Sequence, residues 1–167
     1  MITNQIAPAA GQIRLGSNVR AGYLAQEQET LEPALSAFEA VRAVAALDRT
    51  EALSFLHYFL FAGDDAFLPI KRLSYGERAR LSLALLVARG CNFLLLDEPI
   101  NHLDVPSRER FEQAMRAYEG AVLAVVHDRF FIERFATSVW AMEGQMVRSY
   151  VDLDEWRRLR RRYAPSR

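Results

Sequence analysis

No G-x-x-x-x-G-K-[ST] loop occurs anywhere in this chain, and its single lysine, Lys71, follows Pro69-Ile70 rather than a glycine turn. The usual backbone cradle for a triphosphate is therefore absent from these 167 residues. Cysteine is almost absent too. Cys91 stands alone, which excludes an internal disulfide and fits a reducing, cytoplasmic setting. No apolar run approaches the roughly 20 residues needed to span a bilayer. The first residues, Met1-Ile2-Thr3-Asn4-Gln5, show neither the basic start nor the apolar core of a signal peptide. Net charge is +0, so bulk charge gives no reason for a polyanionic partner. The basic charge is nearly all arginine, and five arginines crowd Arg157 to Arg162.

What is present suits one domain with a real core. The chain is 51% hydrophobic and 25% charged, the balance of an ordinary globular protein. Its most informative stretch is Phe93-Leu94-Leu95-Leu96 running into Asp97-Glu98-Pro99. A short, fully apolar run predicts a buried parallel strand, and Pro99 forbids its continuation. The two acids then stand at the strand's C-terminal mouth, where open α/β sheets bind ligands. By itself the stretch could equally be a strand ending in a polar turn.

Other segments have their own signals. Gln12 to Leu15 and Val19 to Leu24 alternate around Gly16-Ser17-Asn18 and predict a short antiparallel pair. Residues 33–62 predict two helices, with Pro33 in a first turn and a break at Arg49-Thr50. His57 lies in the second helix, where a structural role is expected. Ser74-Tyr75-Gly76-Glu77 is a serine-x-x-glutamate capping box, followed by an apolar stripe of Leu81, Ala84, Leu85 and Ala88 that stops at Gly90. Capping explains Ser74 and Glu77 structurally, and the same helix start can also receive an anion. Asp104 caps a further helix. Ala121 to Val126 predicts a second buried strand, with His127-Asp128-Arg129 at its end. Residues 137–150 predict a hairpin turning at Glu143-Gly144, and Leu153 to Tyr163 a last helix carrying the arginines with Trp156. A charge run of this kind is ordinarily a solvated face, with phosphate contact as the alternative.

Taken in order, Leu73-Ser74-Tyr75-Gly76-Glu77, Phe93 to Pro99, Asn101-His102-Leu103-Asp104 and Val126-His127-Asp128-Arg129 resemble the signature, Walker B, D-loop and switch-histidine motifs of the ATP-binding cassette ATPases. Tyr75, the NHLD sequence and the HDRFF sequence resemble the ABC-F branch, whose members carry two cassettes on one chain and act on the ribosome in translation or antibiotic resistance. The resemblance implies an α/β fold: a P-loop NTPase-like nucleotide-binding domain with a small helical subdomain, lacking the N-terminal part that holds the Walker A loop. It implies a β-subdomain remnant and Q-loop over 1–26 and a helical subdomain over 27–72. The signature, Walker B, D-loop and switch core then covers 73–150, and a basic C-terminal helix 151–167. Met1 is then expected to be an internal start or the edge of a truncated gene product.

The resemblance also implies roles. Asp97 would hold Mg2+ through a water, and Gln26 at the Q-loop position would offer the ion or the attacking water an oxygen. Glu98 would be the general base, and His127 would sense the γ-phosphate beside the acid pair. Ser74, Gly76 and Glu77 of the signature, with Asp104, would meet ATP held by a second cassette. The implied partners are ATP, that second cassette, and ribosomal RNA for the full-length protein. Two alternatives stand beside this: the ATPase subunit of a membrane transporter, and a non-hydrolysing remnant that donates its signature. NHLD, HDRFF and the short helical insertion argue against the transporter.

Overall fold

The computed structural model describes residues 7–24, 31–144 and 146–163. The chain divides into two compact units, Met1–Val125 and Val126–Arg167.

The first unit is built on a parallel sheet in the order β1-β2-β3, with β1 at Ala21–Leu24, β2 at Phe93–Asp97 and β3 at Ala121–Val125. Ala21 pairs with Phe93, and Phe93 in turn with Ala121, so the three strands begin together. β2 lies in the centre, as its apolar run predicts, and Leu94 and Leu96 are almost fully buried. β3 is parallel as expected but not buried. Val122 is 40% exposed and Val125 57% exposed, because β3 is an edge strand among the described residues.

Three helices of this unit begin with full capping boxes. Ser36 and Asp48 form full capping boxes for α1 (Ala37–Val44) and α2 (Arg49–Tyr58), and Ser74 does so for α3 (Tyr75–Ala88). Each box satisfies first-turn amides that a helix cannot bond internally. The α2 boundary corrects the sequence reading at one point. Arg49-Thr50 opens the helix rather than breaking the pattern, because Asp48 accepts from the Glu51 amide. Pro33 lies ahead of the Ser36 cap and outside the helix. Two 3₁₀ turns, Gly63–Phe67 and Ile70–Arg72, lead into α3. Leu56, Leu81, Leu83 and Leu94 are fully buried, at about 1.5–3 kcal/mol of burial each. Arg80 is buried among them. Its guanidinium lies 5.1 Å from the Phe61 ring centroid, while Nε and Nη1 find no hydrogen-bond acceptor. Burial pushes that guanidinium down, and Glu77 partly restores it.

A second correction concerns the N-terminal hairpin. Gln12 to Leu15 form no strand, and β1 pairs in parallel with β2 rather than with its own upstream segment. Alternation selects an extended backbone but not its partner, and the apolar members Ile13 and Leu15 remain 44% exposed. The loop is tied instead by Asn92, whose Oδ1 accepts from the Arg20 amide and whose Nδ2 donates to the Asn18 carbonyl, both at 2.8 Å. The helix that follows β2 is α4 (Val105–Arg116), and it buries Phe111 and Met115.

The second unit contains α5 (Arg129–Phe135), a hairpin of β4 (Val139–Glu143) and β5 (Met146–Tyr150), and α6 (Leu153–Tyr163). Gly144 turns the hairpin with φ +65, a conformation that glycine adopts without steric cost. Arg157 of α6 bonds Glu133 of α5 at 3.0 Å and Asp154 at 2.9 Å, and Arg160 lies over the Trp156 ring at 5.1 Å. No helix among the described residues is long and apolar enough to cross a membrane.

Candidate nucleotide-binding site

Asp97 is the last residue of β2, and Glu98 follows in the left-handed region with φ +48. Such a backbone is uncommon outside glycine, Asn and Asp, and strain of this kind gathers at functional sites. Two hydrogen bonds hold it in place. The Glu98 amide donates to the Val125 carbonyl at 2.9 Å, and the Asn101 amide donates to the Glu98 carbonyl at 3.0 Å. The acid pair therefore stands at the C-terminal mouth of the parallel sheet, as the strand-then-proline sequence predicts.

Tyr23 on β1 joins this mouth. Its hydroxyl donates to Asp97 Oδ2 at 3.1 Å. Burial raises the phenol's pKa, and the Asp97 carboxylate raises it further by accepting its proton in a hydrogen bond and by its charge. Sequence reasoning did not single out Tyr23. Its only signal is an aromatic residue three positions before Gln26, on a strand whose partner is far away in the chain. Gln26 itself lies outside the described residues.

The start of α3 supplies a second cluster. The Ser74 Oγ accepts from the Glu77 amide at 3.2 Å, and Glu77 Oε2 accepts from the Ser74 amide at 2.8 Å. Burial pushes the Glu77 carboxyl up, but the Ser74 hydrogen bonds, with Arg80 and Arg110 nearby, hold it below the usual range. Ser74 is exposed at this helix start. Asp104 caps α4 by accepting from the Ser107 amide at 2.9 Å. Hydrogen bonds from the Ser107 side chain and amide hold the Asp104 carboxyl low. The two helix starts meet, for Gly76 is buried against Ser107 and Tyr75 presents an edge-on ring contact to His102 at 6.5 Å. His102 also has positive φ, +63, which bends the chain between β2 and α4.

His127 falls in the second unit, two residues beyond the end of β3, and precedes Asp128, the cap of α5. The structure thus brings together Asp97, Glu98 and Tyr23 at one mouth, and Ser74, Gly76, Glu77 and Asp104 at a paired helix start.

The ABC transporter family profile matches residues 1–101. The chain belongs to the ABC transporter family. It is 41% identical over 151 residues to the putative ATP-binding protein YdiF of Bacillus subtilis, covering 90% of this chain and 24% of that protein. It is 37% identical over 151 residues to the ATP-binding protein Uup of Haemophilus influenzae, covering 87% of this chain and 23% of that one. The probable ATP-binding protein YheS of Escherichia coli K12 is 34% identical over 159 residues, with 93% and 25% covered. This chain therefore spans about a quarter of the length of the curated relatives it matches. Among solved structures, the dimeric ATP-binding cassette MJ0796 in a post-hydrolysis state bound to ADP and Pi superposes with TM-score 0.63 at 24% identity. That match covers 80% of this chain and 63% of the other. An inward-facing putative metal-chelate type ABC transporter gives TM-score 0.66 at 18% identity, over 89% and 63%. The fold is that of an ABC nucleotide-binding domain.

Magnesium fits the donors at the acid mouth. Among the described residues no group of three His, Cys, Asp or Glu could hold a metal ion by itself. One carboxylate, with phosphates and water completing the shell, is the usual protein share for this ion. Asp97, half-buried and oriented by Tyr23, offers that carboxylate.

Proposed function

We propose that this chain is the signature, Walker B and switch portion of an ABC-F type ATPase cassette. The whole protein then couples ATP binding and hydrolysis to action on the ribosome, as a translation factor or in antibiotic resistance. The observation that carries the reading is the pair of strained and capped sites within one unit: Asp97-Glu98 at the sheet mouth, and Ser74 beside Asp104 at the joined helix starts. Asp97 would hold Mg2+ through water, and Gln26 would supply an amide oxygen. The ion would neutralise phosphate charge. Glu98 would take the proton of the attacking water, a role worth typically about 10²–10⁴ in rate. His127 would contact the γ-phosphate end, while Ser74, Gly76, Glu77 and Asp104 would close on nucleotide held by a second cassette. The exposed arginines of α6 are the face offered to ribosomal RNA phosphates. Action in the cytoplasm follows from the same reading.

A second reading is favoured by one fact of the sequence. With no G-x-x-x-x-G-K-[ST] and only Lys71, these residues have no phosphate cradle of their own. In that reading this chain hydrolyses nothing alone and donates its signature to a partner cassette. Both readings need ATP as the bridge between cassettes. Sedimentation with a matching cassette that has an intact phosphate loop is expected to show association with ATP and none without it. Ser74→Arg, which places a cation against the positive helix end, is expected to abolish that association. Equal association with and without ATP would overturn the proposal.

A further inference from the structure

Gly76 lies in the first turn of a helix, where glycine is less favourable than alanine. It is not among the glycines with positive φ, so backbone freedom does not explain it. Its surroundings do. A Cβ added at Gly76 would stand 2.5 Å from Ser107 Cβ and 2.6 Å from Ser107 Oγ, with Leu103 Cδ2 at 3.5 Å. Ser107 Cβ cannot swing away as the tip of a long side chain could, because it is fixed to the α4 backbone. Ser107 is also the residue whose amide the Asp104 cap satisfies. The two capped first turns, Ser74 to Glu77 and Asp104 to Ser107, therefore touch between their caps. The Tyr75–His102 ring contact crosses between the same two segments.

We propose that Ser107 is a positioning residue: by seating on the bare Cα of Gly76, it keys the first turn of α4 onto the first turn of α3. Signature Ser74 and D-loop Asp104 then move as one rigid body. This rests on the reading above, in which both face a partner cassette, but the lock itself is a property of this chain. It gives Gly76 a duty separate from any contact with nucleotide.

The test is a double-mutant cycle of Gly76→Ala and Ser107→Gly in the full chain, read by thermal midpoint, amide exchange and ATP-dependent association. Gly76→Ala alone is expected to lower the midpoint by about 3–10 °C, the range for overpacking in a domain of this size. It should speed exchange of the Glu77 and Ser107 amides together, each by about tenfold or more. In the Ser107→Gly background the same change should cost nothing measurable in midpoint, and both amides should return to the single variant's rates. If Gly76→Ala fails to fold, folding of the double variant supports the lock, and its failure overturns it. Additive midpoints, or faster exchange at only one of the two amides, would also overturn it. Association with the partner cassette should be lost in Gly76→Ala and regained in the double variant. Regained midpoint and exchange without regained association would support the lock and show that Gly76 also meets the nucleotide, as the proposed function has it. If the unmutated chain shows no ATP-dependent association, the proposed function fails, while midpoints and exchange still decide the lock.

Discussion

The Tyr23 hydroxyl reaches Asp97 Oδ2 at 3.1 Å across the β1–β2 ladder, joining residues 74 positions apart in the chain. The tyrosine holds one carboxylate oxygen in place while leaving the acid half-buried at the sheet mouth. A phenol whose folded pKa is raised contributes stability that is full below its unfolded value of about 10 and lost as pH rises through the folded value. Asp97→Asn is therefore expected to lower the pH at which Tyr23 ionises, followed by NMR of ¹³Cζ-labelled tyrosine. Tyr23→Phe should flatten the alkaline limb of the stability curve. An unmoved Tyr23 titration in Asp97→Asn would show that the hydrogen bond is not formed in solution.

Acid should act through the caps. Glu39, Glu77 and Asp104 all have folded pKa values below their ordinary ones. Their contribution is present above the unfolded values, about 4, and is lost as pH falls through the lower folded values. The thermal midpoint is expected to stay nearly level from neutral pH to about 5 and then fall below about 4. Glu77→Gln should make that fall shallower, measured by scanning calorimetry across the range.

Nucleotide alone should bind weakly. Lys71 and Arg72 lie in the 3₁₀ turn that leads into α3, not at the mouth of β2. Titration calorimetry is expected to show no micromolar ATP affinity for the chain by itself. When a cassette is completed with a phosphate loop, Glu98→Gln should abolish turnover while leaving ATP binding intact. Retained turnover would remove Glu98 from the base role.

The core should be steeply graded from centre to edge. Leu94 and Phe111 are fully buried, so Leu94→Ala is expected to cost about 2–5 kcal/mol and Phe111→Ala about 3–5 kcal/mol. Val122, on the exposed side of an edge strand, should cost under about 1 kcal/mol when cut to alanine. Urea denaturation of the three variants would reveal the gradient, and equal costs would contradict the burial pattern.

What could be read in the sequence was what the chain determines locally. The Ser74 and Asp104 caps span three residues each, and a capping pair needs no knowledge of the fold. The β2 run with its terminal proline likewise gave both the strand and the position of the acids. The failures share the opposite property. Gln12 to Leu15 alternate correctly, but nothing local says that no strand lies beside them. The apolar run of β3 looks buried because composition cannot show that a strand lies at an edge. Tyr23–Asp97 and Gly76–Ser107 depend on two distant segments arriving at one place, and the second is a contact made by a missing atom. Periodicity carries no trace of such an absence.

The parallel register of the sheet also sets an order in time. Arg20 and Asn92, at the foot of the β1–β2 pair, are 72 residues apart, whereas β2 and β3 are separated by a single helix and its loops. Closing the longer loop costs more chain entropy, and distant pairings slow folding. The stretch from α3 to β3 is thus expected to assemble first, with β1 docking last onto a finished strand. In a pulse-labelling refolding experiment the Leu96 amide, on the β3 side of β2, should gain protection before the Leu95 amide, on its β1 side. Until that last step the inner edge of β2 is open, and a newly made chain passes through a period in which its most apolar strand can pair with a stranger.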